Sequence, residues 1–424
     1  MKIPRDILGP LKVSFIGTYL PRKCGIATFT YDLSQNIRKQ ISRTNHETVE
    51  IVAINNSFQK YRYDPEVKFE IEEQKLSDYI NAAKFLNYSS SDLVCLQHEF
   101  GIFGGTYGSY ILELLKNLKK PLVTNLHTVQ ESLNEEQARI LKEICERSEF
   151  VFVMSRKSAD LLVNLFGVSS DKIVFVYHGT PDVPFMDPDF LKPQFNLEGR
   201  RVILTFGLIG PGKGIEVGIE AISLIAKDFK DVAYIVLGAT HPNIRLRSGE
   251  QYRDNLINLA RSKGIEDNVI FYNKFVDINE LTNFILLSDI YMTPNLSREQ
   301  AVSGTLSYAI ACGKAIISTP YDYAKEMLAK GRGLLVPYED PHALAKYLSL
   351  LLSDQKERDK LRKNAYEFGR QMIWKEVAKV YLQTFKHALE SYYSFPLYMH
   401  LDKEKFPVIY LPEPGANNLG ALNS

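Results

Sequence analysis

The stretch "RVILTFGLIGPGKGI", Arg201 to Ile215, is an apolar, β-branched run that stops at Gly207, turns through Gly210, Gly212, Lys213 and Gly214, and enters a helical pattern at Ile215. Strand, glycine-rich turn and helix in that order make up half of a βαβ unit. Such a turn lets the backbone approach an anion closely, because the helix start offers unpaired N–H groups and Lys213 adds positive charge. The spacing G-x-x-x-x-G-K also fits a P-loop, but Gly214 stands where that loop needs a Ser or Thr for Mg²⁺. The next apolar run, "VAYIVLG", ends at Gly238 without an acid. A phosphate-binding turn of another kind is therefore expected.

The same alternation extends in both directions. Upstream, "VSFIG" ends at Gly17, "VEIVAIN" at Asn55, "LVCLQH" at His98, "PLVTNLH" at His127, "FVFVMS" at Ser155 and "IVFVYHG" at Gly179, with helical patterns between them. Downstream follow "VAYIVLG", "VIFYN" to Asn273, "DIYMTP" to Pro294, "AIISTP" to Pro320 and "GLLVPY" to Tyr338. The fold class is α/β: two doubly wound, Rossmann-like domains with parallel sheets, a division that 424 residues also favour. The linker is placed in "DVPFMDPDFLKPQFNLEGR", where prolines interrupt regular structure. This gives domains at 1–190 and 200–375. A segment at 376–424 returns to the first domain through a helix broken near Gly369 and Trp374. The tail from Ser394 is Pro-rich and aromatic and is assigned no role. Ligands of open α/β sheets bind outside the carboxyl ends of the strands, so the site is expected in a cleft onto which both sets of strand ends face.

Composition narrows the function. Fifty-one Lys+Arg balance fifty Asp+Glu, so no global field draws nucleic acid or an anionic membrane. The N-terminus lacks a signal-peptide pattern, and no run is long enough to span a bilayer, so a cytoplasmic protein is expected. Cys24, Cys95, Cys145 and Cys312 lack C-x-x-C spacing and read as buried free thiols. No metal site or cofactor is expected, since the histidines do not have ligand spacing. No G-x-S-x-G elbow is present.

Several strand-end residues could carry chemistry. Ser303, Gly304 and Thr305 open a small-residue helix containing Ala309 and Ala311 and supply hydroxyl and N–H groups. With the turn at Gly212 and Lys213, they could hold the two phosphates of a diphosphate. In the N-terminal half, Gly25 lies in the first β-to-α connection, and His98, Glu99, His127 and His178 lie at carboxyl ends of strands.

These segments together resemble the family 4 retaining glycosyltransferases of the GT-B fold, from Val13 to about Tyr392. "CGIATFTYDL" resembles the family's glycine-rich first loop and "VTNLHTV" its strand ending in a histidine. "VYHGTPD" is similar to the N-G-V-D segment, with His178 in place of the asparagine. "FGLIGPGKG" is similar to G-R-L-x-x-x-K-G, and "ACGKAIISTPYDYAKE" to the A-C-G segment that ends on Glu326. Two positions depart: the diphosphate-binding arginine falls on Leu208, and a pair of glutamates falls on Gln300 and Tyr308.

The resemblance implies transfer of a hexosyl group, mannosyl or glucosyl by preference, from a nucleoside diphosphate sugar to an acceptor hydroxyl, with retention. It implies His127, Lys213 and Glu299 as catalytic residues. Donor binding falls to Gly25, Gly212, Gln300, Ser303, Gly304, Thr305, Tyr308 and Glu326, and acceptor binding to His98 and Glu99. The partners expected are the nucleotide sugar and a carbohydrate or other hydroxyl acceptor. Contact with a membrane surface is expected only for a lipid acceptor, and the oligomeric state is left open. The alternatives are a GT-B phosphorylase or epimerase, or a non-catalytic sugar- or nucleotide-binding protein.

Overall fold

Thirteen strands are found among the described residues, 11–41, 48–56 and 59–393, of the computed structural model. β1 (Val13–Gly17), β2 (Val49–Asn55), β3 (Val67–Glu72), β4 (Leu93–His98), β5 (Leu122–Leu126), β6 (Phe150–Val153) and β7 (Ile173–Phe175) form one parallel sheet in the order β3-β2-β1-β4-β5-β6-β7. β8 (Arg201–Phe206), β9 (Val232–Leu237), β10 (Val269–Tyr272), β11 (Ile290–Thr293), β12 (Ala315–Ser318) and β13 (Leu334–Leu335) form a second, in the order β10-β9-β8-β11-β12-β13. Helices cover both faces of such sheets, which is why β1, β4, β5, β9, β11 and β12 are buried at every position and read as mainly apolar runs.

β3 is not among the strands expected from the sequence. "VKFEIE" alternates, and only Ile71 of its six residues is buried, as suits an edge strand with one face toward water.

Contacts divide the chain into unit 1, Met1–Val176 with Lys379–Ser424, and unit 2, Tyr177–Ala378. The Pro-rich stretch expected as linker lies inside unit 2. Leu191 and Leu197 join its apolar core, and buried Lys192 pairs with Asp289 at 2.9 Å. The chain passes between units at Val176–Tyr177 and again at Ala378–Lys379.

Within unit 2 these two crossings are laced together. Thr180 N donates to Met372 O at 2.9 Å, and Trp374 N donates to Thr180 O at 2.9 Å. Gly179 is required there, since a Cβ would lie 2.1 Å from the Trp374 ring. The helix Gln355–Gly369 ends in a short turn, and the last helix, Trp374–Tyr393, then carries the chain into unit 1. Gly369 lets its helix approach Ala311 closely, because a Cβ would meet Ala311 Cα at 2.5 Å. In unit 1, Tyr381 stacks on Phe152 at 4.1 Å and Phe385 meets Phe15 edge-on at 6.4 Å. The tail from Ser394 lies outside the described residues.

One device recurs in both units. A lysine just before a strand donates to carbonyls at the end of the helix that leads into the neighbouring strand. Lys120, before β5, reaches Ser89 O at 2.8 Å and also Ser91 O, past the helix Leu76–Tyr88. Lys172, before β7, reaches Glu146 O at 3.1 Å and Ser148 O at 2.8 Å, at the end of the helix Glu135–Arg147. Lys314, before β12, reaches Leu286 O at 2.8 Å and Ser288 O at 3.0 Å, at the end of the helix Ile278–Leu287. Helix ends leave carbonyls unpaired and carry partial negative charge, so an ammonium fits them twice over. Lys314 is fully buried, and burial pulls its pKa down to about 7.

Candidate functional site

Strand order reverses direction beside β1 and β4 in one sheet and beside β8 and β11 in the other. Ligands of open α/β sheets bind at such switch points. The glycine loop after β8 and the turn at Ser303 after β11 follow the switch-point strands of unit 2, and Gly25, His98 and Glu99 lie at the ends of those of unit 1.

In unit 2, β8 ends into the glycine loop. Gly207 has φ +131, Gly212 φ +92 and Gly214 φ +64, values that side chains other than glycine rarely adopt. A Cβ on Gly212 would meet nothing within 4 Å, so this face of the turn is open. Gly214 is different: its Cβ would lie 1.9 Å from Pro294 O, and Leu296 N donates to Gly212 O at 2.8 Å. The loops after β8 and β11 are thereby locked together. Lys213 is half-buried, and the loss of water holds its ammonium below the usual lysine range, with no acid paired to it among the described residues. The helix Ile215–Ile225 begins two residues later.

The β11 loop supplies the second turn. Ser303 caps the helix Gly304–Ala311, accepting from Leu306 N at 3.3 Å, and its Oγ lies 3.1 Å from Thr305 Oγ1. Ordinary capping therefore accounts for the Ser303 hydroxyl. Thr305 Cγ2 lies 3.4 Å from where a Gly207 Cβ would be, so the two glycine-bearing turns meet. Of the remaining predicted residues, Gln300 is occupied within its own loop, bonded to Asn295 and donating to Val302 O at 3.1 Å. Glu299 is half-buried beside it, and Glu326 lies half-buried on the helix Asp322–Leu328.

Tyr308 does not face outward as the ribose role requires. It is 7% exposed, belongs to the apolar core, and sets its ring edge-on to His178 at 5.8 Å. His178 was absent from the predicted binding residues, yet it reaches the turn. Its Nδ1 donates to Gly179 O at 2.8 Å, and its Nε2 lies 2.9 Å from where a Gly304 Cβ would be. Burial pulls the imidazole down to about 4, against the opposing pull of Gly179 O, so it is neutral at pH 7. His241 was also missed. It follows β9, its N donates to Ile209 O at 2.8 Å, and burial and the Lys213 charge hold it below the usual imidazole range. The Thr240-His241-Pro242 run after an apolar strand was the available signal.

In unit 1, Gly25 opens the helix Gly25–Ile41 and is exposed, with nothing within 4 Å of a Cβ position. Cys24 caps this helix rather than lying buried: it is half-buried, and Ala27 N donates to its Sγ at 3.4 Å. All four thiols are free. His127 is fixed by neighbours on adjacent strands. Its Nε2 lies 3.1 Å from Gln97 Oε1, and Gln97 Oε1 also accepts from Asn125 Nδ2 at 3.1 Å. Asn125 Nδ2 also lies 3.0 Å from His127 Nε2, so the two amides hold the same ring nitrogen between them. Tyr381 completes the network, donating to Asn125 Oδ1 at 3.0 Å, and Phe29 meets the His127 ring edge-on at 4.8 Å. Gln97 and Asn125, polar residues inside apolar strands, are the sequence signal for this network and lie outside the expected site residues.

His98, expected at the acceptor, is instead a core residue. It is 0% exposed between Phe100 and Phe103, and neither ring nitrogen has a partner among the described residues. Burial drives its pKa down to about 3. Glu99, one residue on, accepts from Thr128 Oγ1 at 2.6 Å and from Phe100 N at 3.0 Å, and burial raises its carboxyl above the usual range against both donors. Among the described residues no three His, Cys, Asp or Glu side chains group as metal ligands, and no helix is long and apolar enough to cross a membrane.

Residues 187–368 match the family glycosyl transferases group 1. An uncharacterized glycosyltransferase of Methanocaldococcus jannaschii is 24% identical over 407 residues, 88% of this chain and 97% of that protein. Sucrose-phosphate synthase of Thermosynechococcus elongatus superposes with a TM-score of 0.72 at 17% identity, over 90% of this chain and 100% of that one. HepE of Anabaena, crystallised with UDP and glucose, gives 0.70 at 15% identity, over 89% and 100%. The two parallel sheets with their helices are those of the GT-B glycosyltransferases.

Proposed function

We propose that this chain, with a group 1 glycosyltransferase segment over residues 187–368, is a family 4 enzyme that moves a hexosyl group from a nucleoside diphosphate sugar to an acceptor hydroxyl with retention. The observation that carries this reading is Lys213: a desolvated ammonium with no acid paired to it among the described residues, beside the open face of Gly212 and joined through Gly207 to the turn at Ser303-Gly304-Thr305. A diphosphate supplies the missing negative charge. The N–H groups of the helix Gly304–Ala311 add partial positive charge next to it. HepE, a structural neighbour crystallised with UDP and glucose, supports a nucleotide donor.

In this reading the departing phosphate oxygen takes the acceptor proton on the same face of the sugar, so the protein supplies no paired acid and base. Lys213 and the two turns stabilise the charge that grows on the diphosphate. Glu299 and Glu326 take donor hydroxyls. In unit 1, Glu99 receives the acceptor, and His127, its Nε2 3.1 Å from Gln97 Oε1 and 3.0 Å from Asn125 Nδ2, keeps the catalytic role. His98 supports Glu99 from the core instead of touching substrate. Tyr308 likewise acts through His178, which it holds against Gly304.

The test is a thermal shift with UDP, GDP, ADP and inorganic phosphate, followed by turnover of the sugar nucleotide that binds. Ligand at 100 times its Kd stabilises by about 2.7 kcal/mol, a shift of several degrees. Lys213→Ala should abolish the shift and lower kcat/KM by at least 100-fold, the usual loss of about 3 kcal/mol for one preorganised donor. Near-normal turnover in that variant refutes the role of Lys213. A shift with inorganic phosphate alone replaces the transferase reading with phosphorolysis.

A further inference from the structure

We propose that His241 is a second, proton-dependent cation for the donor diphosphate, acting beside Lys213; this rests on the nucleotide-sugar reading above. The backbone already joins the two bases. β9 is the neighbour of β8, Ile209 N donates to Ala239 O at 2.9 Å, and His241 N donates to Ile209 O at 2.8 Å. The segments also pack side by side, since a Cβ on Gly210 would lie 4.0 Å from His241 Cβ and close to Ile244 Cδ1. His241 therefore flanks the turn that carries Lys213 and the open face of Gly212.

The charges that act on His241 favour an anion beside it. From the glycine loop, Lys213 acts on it by repulsion. On the segment after β9, the acid Glu250 is engaged elsewhere: it pairs with Arg245 at 3.4 Å and Arg253 at 3.3 Å and accepts from the Thr240 hydroxyl. An anion lying against both bases removes their repulsion and favours the protonated imidazole. Leu208 supplies no charge to the same loop, so a doubly charged ligand meets one permanent cation there and one that depends on pH. Binding that raises the imidazole pKa takes up a proton, and affinity therefore rises as pH falls.

The probes are UDP-glucose and GDP-mannose, whose diphosphate diesters keep their charge between pH 5.5 and 8.5. Affinity is measured by calorimetry for the wild-type protein, His241→Asn, His241→Gln and Lys213→Met. The wild type should bind one of the two sugar nucleotides several-fold more tightly at pH 5.5 than at pH 8.5, with tenfold as the ceiling for a one-unit rise in the imidazole pKa on binding. Both His241 variants should change less than twofold across that range while matching the wild type at pH 8.5. Lys213→Met should bind weakly at both ends. Imidazole NMR of the wild-type protein should show the His241 titration moving upward when the ligand is added, a readout independent of any variant. Equal slopes in wild type and His241 variants, or a His241 titration that the ligand does not move, overturn the role of His241 and leave the donor reading standing. If the wild type binds neither sugar nucleotide at any pH, the donor reading falls and takes this inference with it.

Discussion

Replacing His98 by leucine should flatten the acid limb of unit 1 stability. The imidazole is fully buried between two phenylalanines, and its pKa falls from the usual 6.5 to about 3. The folded value lies below the unfolded one. The contribution is therefore complete above pH 6.5 and is lost as pH falls toward 3, because only the unfolded chain takes up the proton. With those two values, protonation of the unfolded chain costs unit 1 roughly 2 kcal/mol at pH 5 and almost nothing at pH 7. Leucine fits a site walled by Phe100 and Phe103 and has no nitrogens to leave unpaired. The assay is native-state hydrogen exchange on peptides covering β4, read at pH 7 and pH 5. The opening free energy should fall by about 2 kcal/mol more in the wild type than in His98→Leu. Equal falls would mean that His98 is hydrated or charged in the folded protein, and the reading of it as a sealed core residue would be wrong.

Two further substitutions test the joints described above. Gly214→Ala puts a Cβ at 1.9 Å from Pro294 O in a backbone with φ +64; at a cost of at least about 2 kcal/mol, it should lower the melting point of unit 2 by roughly 4–8 °C. Trp374, the only tryptophan, lies in unit 2 and reports that transition by fluorescence, and an unchanged midpoint would show that the two loops are not locked. Tyr381→Phe removes the hydroxyl donated to Asn125 and should cost about 1 kcal/mol of stability. It should also lower kcat several-fold at unchanged donor affinity, because Asn125 and Gln97 fix the His127 ring; unaltered kcat would show that this network does not position the histidine.

Most of the fold was legible because strands buried on both faces must be written as apolar runs, and their lengths match the intervals between glycines and polar ends. β3 escaped because an edge strand alternates, and its Lys68, Glu70 and Glu72 read as a solvated segment. The prolines of the 182–200 stretch were read as a linker, yet proline marks only irregular backbone: Pro188 and Pro193 start short turns whose neighbours Leu191 and Leu197 are core. At the site, the glycine turns were legible because their backbone geometry demands particular residues. Side-chain roles were not, since position at a strand end does not say whether a ring faces the core or the ligand. His98 and Glu99 are adjacent in sequence, and one is sealed while the other reaches Thr128. His178 and Tyr308 are 130 positions apart, and only folding sets one ring against the other.

The lysines that cap helix ends also set a chemical clock on each unit. An amine that spends its hydrogens on two or three carbonyls cannot present a lone pair to an acylating reagent, and Lys314 is wholly enclosed besides. Lys120 and Lys172 in unit 1 and Lys314 in unit 2 should be the last lysines of their units to acquire an acyl label. Once one does, the helix end it held loses its cap and cannot close again. Their labelling rates therefore time the opening of each sheet separately, from within a single intact chain.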